Sequence, residues 1–559
     1  MKRKLVIIGI DGGTFRLIDP LMERGRLPNI EKIVRSGARG ILKSTYPPVT
    51  AAAWVTFMTG KNPGKHSFYD FREYNLADYT PSFVTTVKTS VNDDVSVLHS
   101  SRYQGETLWD LLGDAGYEMT VVAVPMTYPP WKINGRMVSG YPCPDYSRPR
   151  TYPPEWGNET GRLFNMSAID FSKKAGFIRE CKELVRRKGR LITRMMEEKK
   201  GEVFSVVFSS TDFVQHYFWR FQQHDGHPYS RVIEEIYREV DDVIGGILNL
   251  SDENTSVFVM SDHGFMKHPG KHVNINSWLL NEGYIHLRGK EGSPKAKIFS
   301  GAVDFILDQI KYKRVGLKIA IKQRLSRMPV FLQQWVSKHY FKSSLIDWGR
   351  TRAFRYRMYG CVDGLVMNVK GRQENGIVAE GEEYENLRKE IIGKLLELDD
   401  PDTGEKVIAE AYLREELYRG DFLKNAPDII YRFSDNYTGG VELQGPVISP
   451  VRKETTDVFS GVHDQEGIFI ACGPNIKKGA DAGCFSITDV MPTILYDLNL
   501  PIPDDLDGRI INEVFTESFK NANRPDHVPA GSKAAGQGES LSKEDEESVR
   551  DALKGLGYL

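Results

Sequence analysis

Residues 4–13 read KLVIIGIDGG, a continuous apolar and β-branched run from Lys4 to Ile10 that stops at Asp11 and two glycines. Such a run is typical of a strand that is buried on both faces of a parallel sheet and ends in a turn. Four more runs of this kind come later in the chain: Glu118 to Val124, Val203 to Phe208, Ser256 to Met260 and Gly467 to Ala471. Helical patterns lie between them, so we predict an α/β fold with a mostly parallel central sheet.

Acidic and histidine side chains follow three of these strands. Asp11 comes directly after the first strand, Asp212 and His216 follow the third, and Asp262 and His263 follow the fourth. Open α/β sheets bind ligands beyond the carboxyl ends of their strands, so these side chains are candidate metal ligands. Asp212 and His216 are four residues apart and would share one face of a helix. A helix cap is the alternative interpretation of Asp11.

Residues 45–66 read TYPPVTAAAWVTFMTGKNPGKH and place Thr50 in front of a small and apolar run, Ala51 to Met58. The run predicts a short buried helix that ends before Gly60. The first N–H groups of a helix lack intrahelical acceptors, and its positive dipole end attracts phosphate and lowers the pKa of a hydroxyl. A threonine in this position is usually a plain helix cap. Beside metal ligands, Thr50 becomes a candidate nucleophile.

A histidine just upstream of the strand Gly467 to Ala471 completes a set large enough for two metal ions. The candidate ligands are Asp11, Thr50, Asp212, His216, Asp262, His263 and His463. Carboxylates and imidazoles without a thiolate favour Zn²⁺ first, with Mn²⁺ or Fe next. Two such ions can activate an attacking oxygen and stabilise both sides of an in-line phosphoryl displacement.

The composition is that of a globular protein, and the net charge gives no reason to expect binding to nucleic acid. Of 559 residues, 40% are hydrophobic and 27% charged, and the formal net charge is -1. Nucleic-acid-binding domains usually carry a strong basic excess, so no polymer of this kind is expected as a partner. Five cysteines without CxxC spacing favour a reducing compartment. No signal-peptide or membrane-span pattern is present, and we expect a cytoplasmic protein.

One segment differs from the rest of the chain in its charge. Between residues 295 and 342, eleven Lys or Arg residues accompany only two Asp residues, with apolar residues at helical spacing. This pattern predicts a basic amphipathic helical insertion. Three interpretations stay open: a cap over an anionic substrate, a surface that contacts anionic membranes, and a solvated helical excursion.

The same patterns predict the domain organisation. We predict a core formed by residues 1–290 and 350–520, the helical insertion at 291–349, and a flexible linker with a C-terminal helix at 521–559. Residues 68–102 and 125–154 are expected to form loops over the site. The oligomeric state is left open.

The motifs, taken in order, resemble the alkaline phosphatase superfamily and, within it, the type I phosphodiesterase/nucleotide pyrophosphatase group. The resemblance covers most of residues 4–290 and 350–510. It is carried by IIGIDG, PNI at Pro28 to Ile30, the Thr50 segment with TGKNPGKH, TD-x-x-x-H at Asp212, SDHG at Asp262, and GVHDQEGIFIACGP at His463.

This resemblance implies a three-layer α/β sandwich that hydrolyses phosphate esters of small molecules, diesters in the first place, with two metal ions. It implies that Thr50 is the covalent nucleophile and forms a phosphoryl-threonine intermediate, which water then hydrolyses. One ion would be bound by Asp11, Thr50, Asp262 and His263, and the other by Asp212, His216 and His463.

The chain departs from the group at one position near the nucleophile. Nucleotide pyrophosphatases carry an asparagine three residues after the nucleophile as a donor to a phosphate oxygen, and this chain has Ala53 there. Lys61, the backbone N–H of Ala51 or the cap are the candidates to replace that donor. A phosphomonoesterase or a phosphonate hydrolase on the same core is therefore an alternative, and a non-catalytic protein that binds anionic head groups is another.

Overall fold

The computed structural model describes residues 2–77, 79, 98–103, 105–143, 150–160, 173–224, 226–288, 345–531 and 542–556. The strands in these ranges are β1 (Lys4–Ile10), β2 (Ala38–Lys43), β3 (Met119–Val122), β4 (Gly135–Val138), β5 (Thr151–Tyr152), β6 (Val203–Phe208), β7 (Thr255–Met260), β8 (Gly264–Lys267), β9 (Lys271–Val273), β10 (Ala353–Tyr356), β11 (Val362–Met367), β12 (Ile408–Leu413), β13 (Ile429–Phe433), β14 (Tyr437–Gly439), β15 (Ile448–Pro450), β16 (Gly461–Asp464), β17 (Glu466–Cys472), β18 (Ala480–Ser486), β19 (Ile502–Pro503) and β20 (His527–Val528).

The α-helices in the same ranges are α1 (Phe15–Glu23), α2 (Pro28–Ser36), α3 (Thr50–Thr59), α4 (Pro63–His66), α5 (Leu108–Asp114), α6 (Gly157–Thr160), α7 (Lys174–Glu197), α8 (Ser210–Phe218), α9 (Val232–Leu250), α10 (Ile275–Asn281), α11 (Glu382–Leu396), α12 (Arg414–Leu417), α13 (Lys453–Val458), α14 (Val490–Asp497), α15 (Glu517–Ala522) and α16 (Lys543–Leu556).

The large central sheet has the strand order β18-β2-β17-β7-β1-β6-β3-β4-β5. Strand β1 lies in its middle and pairs in parallel with β6 and with β7, and β6 continues in parallel to β3 and β4. Strand β17 is antiparallel to both of its neighbours. The mostly parallel α/β sheet predicted from the sequence is confirmed.

Both faces of this sheet are covered. Every residue of β6 and β7 is buried, and successive residues of a strand point to opposite faces. Helix α9 packs against both α2 and α7, and α3 packs against α5 and α14. These helical layers around the sheet give the sandwich that the resemblance implies.

A second sheet lies outside the central one. Strands β10, β11, β13 and β12 form an antiparallel sheet in that order, with an apolar cluster of its own. The sequence predicts strands within this region but not their separation from the central sheet, because apolar runs do not say which strand pairs with which.

The predicted basic insertion at 291–349, with its suggested membrane surface at 295–342, lies outside the described residues except for 345–349. In the described part of the chain, no helix is long and apolar enough to cross a bilayer. The predicted linker begins within α15, and its strand β20 pairs in parallel with β19. Helix α16 buries Val549 and Leu553 against the main core.

Candidate metal centre

The three central strands end at the same edge of the sheet. Ile10 of β1 lies opposite Phe208 of β6, and Gly9 lies opposite Met260 of β7. The residues that follow these strands therefore leave the sheet side by side. This register brings together side chains that are about 50 to 250 residues apart in the sequence.

The first ligand group consists of Asp11, Asp262 and His263, whose potential ligand atoms all lie within 4.8 Å of one another. His263 Nε2 is 3.2 Å from Asp262 Oδ2 and 3.7 Å from Asp11 Oδ1. The hydroxyl of Thr50 joins this group, with Oγ1 at 3.3 Å from His263 Nε2. All four side chains are buried.

The second ligand group consists of Asp212, His216 and His463. Asp212 Oδ1 is 3.0 Å from His463 Nε2 and 3.4 Å from His216 Nε2. Asp212 and His216 lie on one face of α8, as their spacing predicts, and His463 comes from β16. The rings of His263 and His463 stack with centroids 3.6 Å apart, so the two groups adjoin.

Backbone carbonyls fix the orientation of the three imidazoles. Each Nδ1 atom lies at hydrogen-bond distance from a carbonyl oxygen: His216 at 3.0 Å from Gly461, His263 at 3.0 Å from Gly264, and His463 at 2.9 Å from Pro48. A carbonyl only accepts, so Nδ1 carries the proton and the Nε2 lone pair faces the ligand group. This is the usual arrangement of metal-binding histidines.

The carboxylates of the first group have the burial and the unpaired oxygens expected of cation ligands. Burial raises the pKa of Asp11 well above its usual value, and the charges of Asp262 and Asp212 raise it further. Burial also raises the pKa of Asp262. Asp11 Oδ1 and Asp262 Oδ2 are buried and have no hydrogen-bond partner. Because buried polar atoms are normally paired, these two oxygens fit divalent-cation ligands.

The second group differs in its protonation. Burial works against ionisation of Asp212, yet the neighbouring imidazoles of His216 and His463 hold the pKa of this carboxyl well below its usual value. Burial, followed by the charge of His263, lowers the pKa of His463 to about 3. A carboxylate beside two imidazoles is a suitable donor set for Zn²⁺.

Helix α3 presents Thr50 to this centre. All ten residues of the helix are buried, and Gly60 ends it in the left-handed region at a φ of 64°. The segment before the helix is fixed by two hydrogen bonds: Ser44 Oγ donates to the Asp262 carbonyl at 2.6 Å, and Gln465 Nε2 donates to the Thr45 carbonyl at 2.9 Å. Thr50 is therefore held by the same loops that carry the ligands.

The two residues predicted to bind substrate have different positions. Ala51 follows Thr50 in the first turn, where backbone N–H groups lack intrahelical acceptors. Lys61 lies beyond the other end of α3, about 15 Å away by helical rise, and forms an ion pair with Asp505. Thr50 and Lys61 are close in sequence but lie at opposite ends of the helix. We therefore withdraw Lys61 as a substrate ligand.

The sequence did not reveal one neighbour of the centre. The ring of Tyr359 lies 4.7 Å from that of His463, between centroids, and a Cβ on Gly360 would lie 3.5 Å from the His463 carbonyl oxygen. Both residues come from the turn between β10 and β11 of the second sheet. No local motif marks them, so only the packing of the two sheets identifies them.

Comparisons with known proteins give a family match for the sequence. The sequence model described as type I phosphodiesterase / nucleotide pyrophosphatase matches residues 5–444. No curated protein matches the sequence at a significant level. Among solved structures, murine ectonucleotide pyrophosphatase / phosphodiesterase 5, in an inactive form with AMP, is similar at 12% identity and a TM-score of 0.47, over 89% of this chain and 96% of that one. The human protein of the same name is similar at 12% identity and a TM-score of 0.45, over 89% and 95%.

Proposed function

We propose that this chain, which belongs to the type I phosphodiesterase / nucleotide pyrophosphatase family of phosphoester hydrolases, cleaves small-molecule phosphodiesters through a phosphoryl-threonine intermediate on Thr50. The family is generally dependent on two metal ions. The observation that carries the proposal is the position of the Thr50 hydroxyl at a helix N-terminus, 3.3 Å from His263 in the first of two adjoining ligand groups.

Two divalent ions would be held by Asp11, Thr50, Asp262 and His263 and by Asp212, His216 and His463. When bound, the ions would supply Lewis-acid stabilisation of the phosphoryl oxygens and lower the pKa of the attacking hydroxyl and water. Zn²⁺ is our choice because the donors are carboxylates and imidazoles, with Mn²⁺ or Fe as alternatives.

The chain's own residues set up the displacement. The first-turn N–H groups of α3, including that of Ala51, offer donors to a phosphoryl oxygen. Thr50 Oγ1 bonds to phosphorus while the bond to the ester oxygen breaks, and the alcohol leaves with the proton that the threonine gives up. Water then attacks the phosphothreonine, the bond to Oγ1 breaks, and the threonine hydroxyl is restored. The buried position of the centre limits competing access of bulk water.

A second candidate is a phosphomonoesterase or phosphonate hydrolase on the same core. It is favoured by Ala53, whose buried methyl group occupies the position of the amide donor in nucleotide pyrophosphatases. We also propose a cytoplasmic location, supported by the cysteines, which are all free thiols in the structure.

The test is hydrolysis of bis-p-nitrophenyl phosphate, p-nitrophenyl phosphate and a phenylphosphonate ester by protein reconstituted with Zn²⁺ or Mn²⁺. We expect the diester to have the highest kcat/KM, and Thr50→Ala to lose activity by a factor of about 10⁴ while it keeps its bound ions. Thr50→Ser is the matched control, because it retains a hydroxyl.

Acid quenching during turnover should trap one phosphoryl group on the peptide that contains Thr50. Equal activity of wild type and Thr50→Ala would reject the proposal. Preference for the monoester or the phosphonate would select the second candidate.

A further inference from the structure

The residue before His216 lies between two ligands of the second group and reaches the turn that follows β1. Gln215 is on α8, three residues after Asp212, and its side chain is completely buried. The spacing that identifies Asp212 and His216 as a pair gives no role to Gln215. A buried amide is normally hydrogen-bonded through both its nitrogen and its oxygen, so its partners indicate its role.

The amide nitrogen of Gln215 binds the turn that holds the first ligand group. Nε2 donates to the Gly12 carbonyl at 3.0 Å. Gly12 follows Asp11 directly, and its own N–H donates to Asp262 Oδ1 at 3.2 Å. A side chain on the helix of the second group is therefore connected, through Gly12 alone, to both carboxylates of the first group.

The conformation of Gly12 makes this connection possible. Its φ is 66°, in the left-handed region that favours glycine. A Cβ at this position would lie 2.9 Å from a ring carbon of Phe265 and 3.0 Å from Gln215 Nε2. Any larger residue would therefore push the amide away from the Gly12 carbonyl.

A second helix fixes the orientation of the amide. The Gly12 carbonyl only accepts hydrogen bonds, so the amide nitrogen faces it and Oε1 faces the other partner. That partner is the buried Tyr237 on α9, whose hydroxyl donates to Oε1 at 3.3 Å. Thr211 Oγ1, also on α8, donates to the Asp11 carbonyl at 2.6 Å. Helix α8 is thus attached to the turn after β1 at two points, and α9 supports one of them.

We propose that Gln215 is a positioning residue that couples the two ligand groups, so that an ion in the second group raises the affinity of the first group for its ion. Binding at the second group would hold Asp212 and His216, and with them α8, in one position. Gln215 then fixes Gly12, and Gly12 orients Asp262. The inference rests on the proposed function for its two ion sites but not for its reaction.

The experiment measures the coupling between the sites by titration with Co²⁺, followed by absorbance. The affinity of each site alone comes from His216→Ala, which leaves only the first group intact, and from Asp262→Asn, which leaves only the second. The coupling factor is the overall constant for binding of two ions divided by the product of these two affinities. Each factor is determined with and without a change at Gln215, so the repulsion between the ions is common to both and cancels.

We expect Gln215→Met to lower the coupling factor by about 10-fold, within the usual range for coupled sites. Methionine has a similar length but neither donates to the Gly12 carbonyl nor accepts from Tyr237. Tyr237→Phe removes only the hydroxyl that orients the amide and should lower the factor by about threefold. This milder variant supplies the same test if Gln215→Met does not fold.

Gln373→Met is the matched control. Gln373 is also buried, and its amide makes two similar hydrogen bonds in the region of the second sheet: Nε2 donates to the Leu76 carbonyl at 3.0 Å, and Oε1 accepts from the Val369 N–H at 2.7 Å. This control should lower the Tm as Gln215→Met does, and it should leave the coupling factor unchanged.

The outcomes separate this inference from the proposed function, because the titrations contain no substrate. A coupling factor that falls in Gln215→Met supports the inference even if wild type hydrolyses none of the phosphate esters. A factor that is the same with and without the change overturns the inference even if hydrolysis is fast, since Gln215 would then have only a structural role. Binding of fewer than two ions by wild type also overturns it.

Discussion

Replacing Asp262 by asparagine should stabilise the ion-free protein and weaken its response to metal ions. Asp262 Oδ2 and Asp11 Oδ1 are buried without hydrogen-bond partners. The amide of the new side chain would place an N–H donor at the position of Oδ2, facing the Asp11 carboxylate. Its oxygen would keep the hydrogen bond that Oδ1 accepts from the Gly12 N–H at 3.2 Å.

The magnitude is set by the separation of the two carboxylates. Unit charges 4.8 Å apart, the largest distance within this group, repel by about 3.5 kcal/mol at an effective dielectric constant of about 20. Burial raises the pKa of both groups, so a shared proton relieves part of this repulsion. We therefore expect the free energy of unfolding to rise by about 2 kcal/mol at mildly alkaline pH, which for a chain of this size corresponds to about 2 °C in Tm.

The assay is thermal unfolding followed by fluorescence, in chelator and in Zn²⁺. Wild type should gain about 8 kcal/mol, about 4 for each of its two sites, when the free ion exceeds the Kd of each site a thousandfold. Asp262→Asn should gain about half as much, because one of the two sites is impaired. Asp464→Asn is the control: this buried carboxylate accepts from the Gln465 N–H at 2.7 Å and pairs with Arg16 at 3.2 Å. It should lower the Tm in both buffers.

Either of two results would refute the reasoning. A lower Tm of Asp262→Asn in chelator, as in the control, would mean that the two carboxylates do not oppose folding. A full response of the variant to Zn²⁺ would mean that Asp262 does not bind an ion.

Three further predictions concern His463 in the centre and two residues that follow α3. His463→Ala should lower the number of bound ions from two to about one per chain, measured by elemental analysis after dialysis. His268→Ala is the control and should keep two ions, because His268 lies outside both ligand groups. An unchanged number of ions in His463→Ala would exclude His463 as a ligand. Burial lowers the pKa of His66 to about 3, whereas a histidine in the unfolded chain has a pKa of about 6.5. The unfolded state therefore binds one more proton at acidic pH, and the free energy of unfolding of wild type falls by about 1.4 kcal/mol per pH unit below about pH 6.5. Denaturant unfolding at pH 7 and 5 should show a smaller loss in His66→Gln, and equal losses would contradict this. Lys61→Gln should leave KM within about twofold and lower stability by about 1 kcal/mol through its contact with Asp505; a tenfold higher KM would return Lys61 to the site.

The sequence by itself determines the central strands and the polar residues at their ends. The apolar runs that form β1 and β6 have the predicted bounds, because a strand buried on both faces needs apolar residues at every position. The spacing of Asp212 and His216 is likewise local, since one helical turn decides which face they share. Family membership, and with it the class of phosphoester hydrolases, also rests on these local motifs in their order.

Only the tertiary structure decides which of these pieces meet. The strand order brings His463 to Asp212 across about 250 residues, and the buried helix α3 places Thr50 at the centre and Lys61 about 15 Å away from it. The second sheet brings Tyr359 and its turn to the same edge without any motif in the sequence. Apolar periodicity indicates whether a residue is buried but not which residues it packs against, so the ligand groups are properties of the fold.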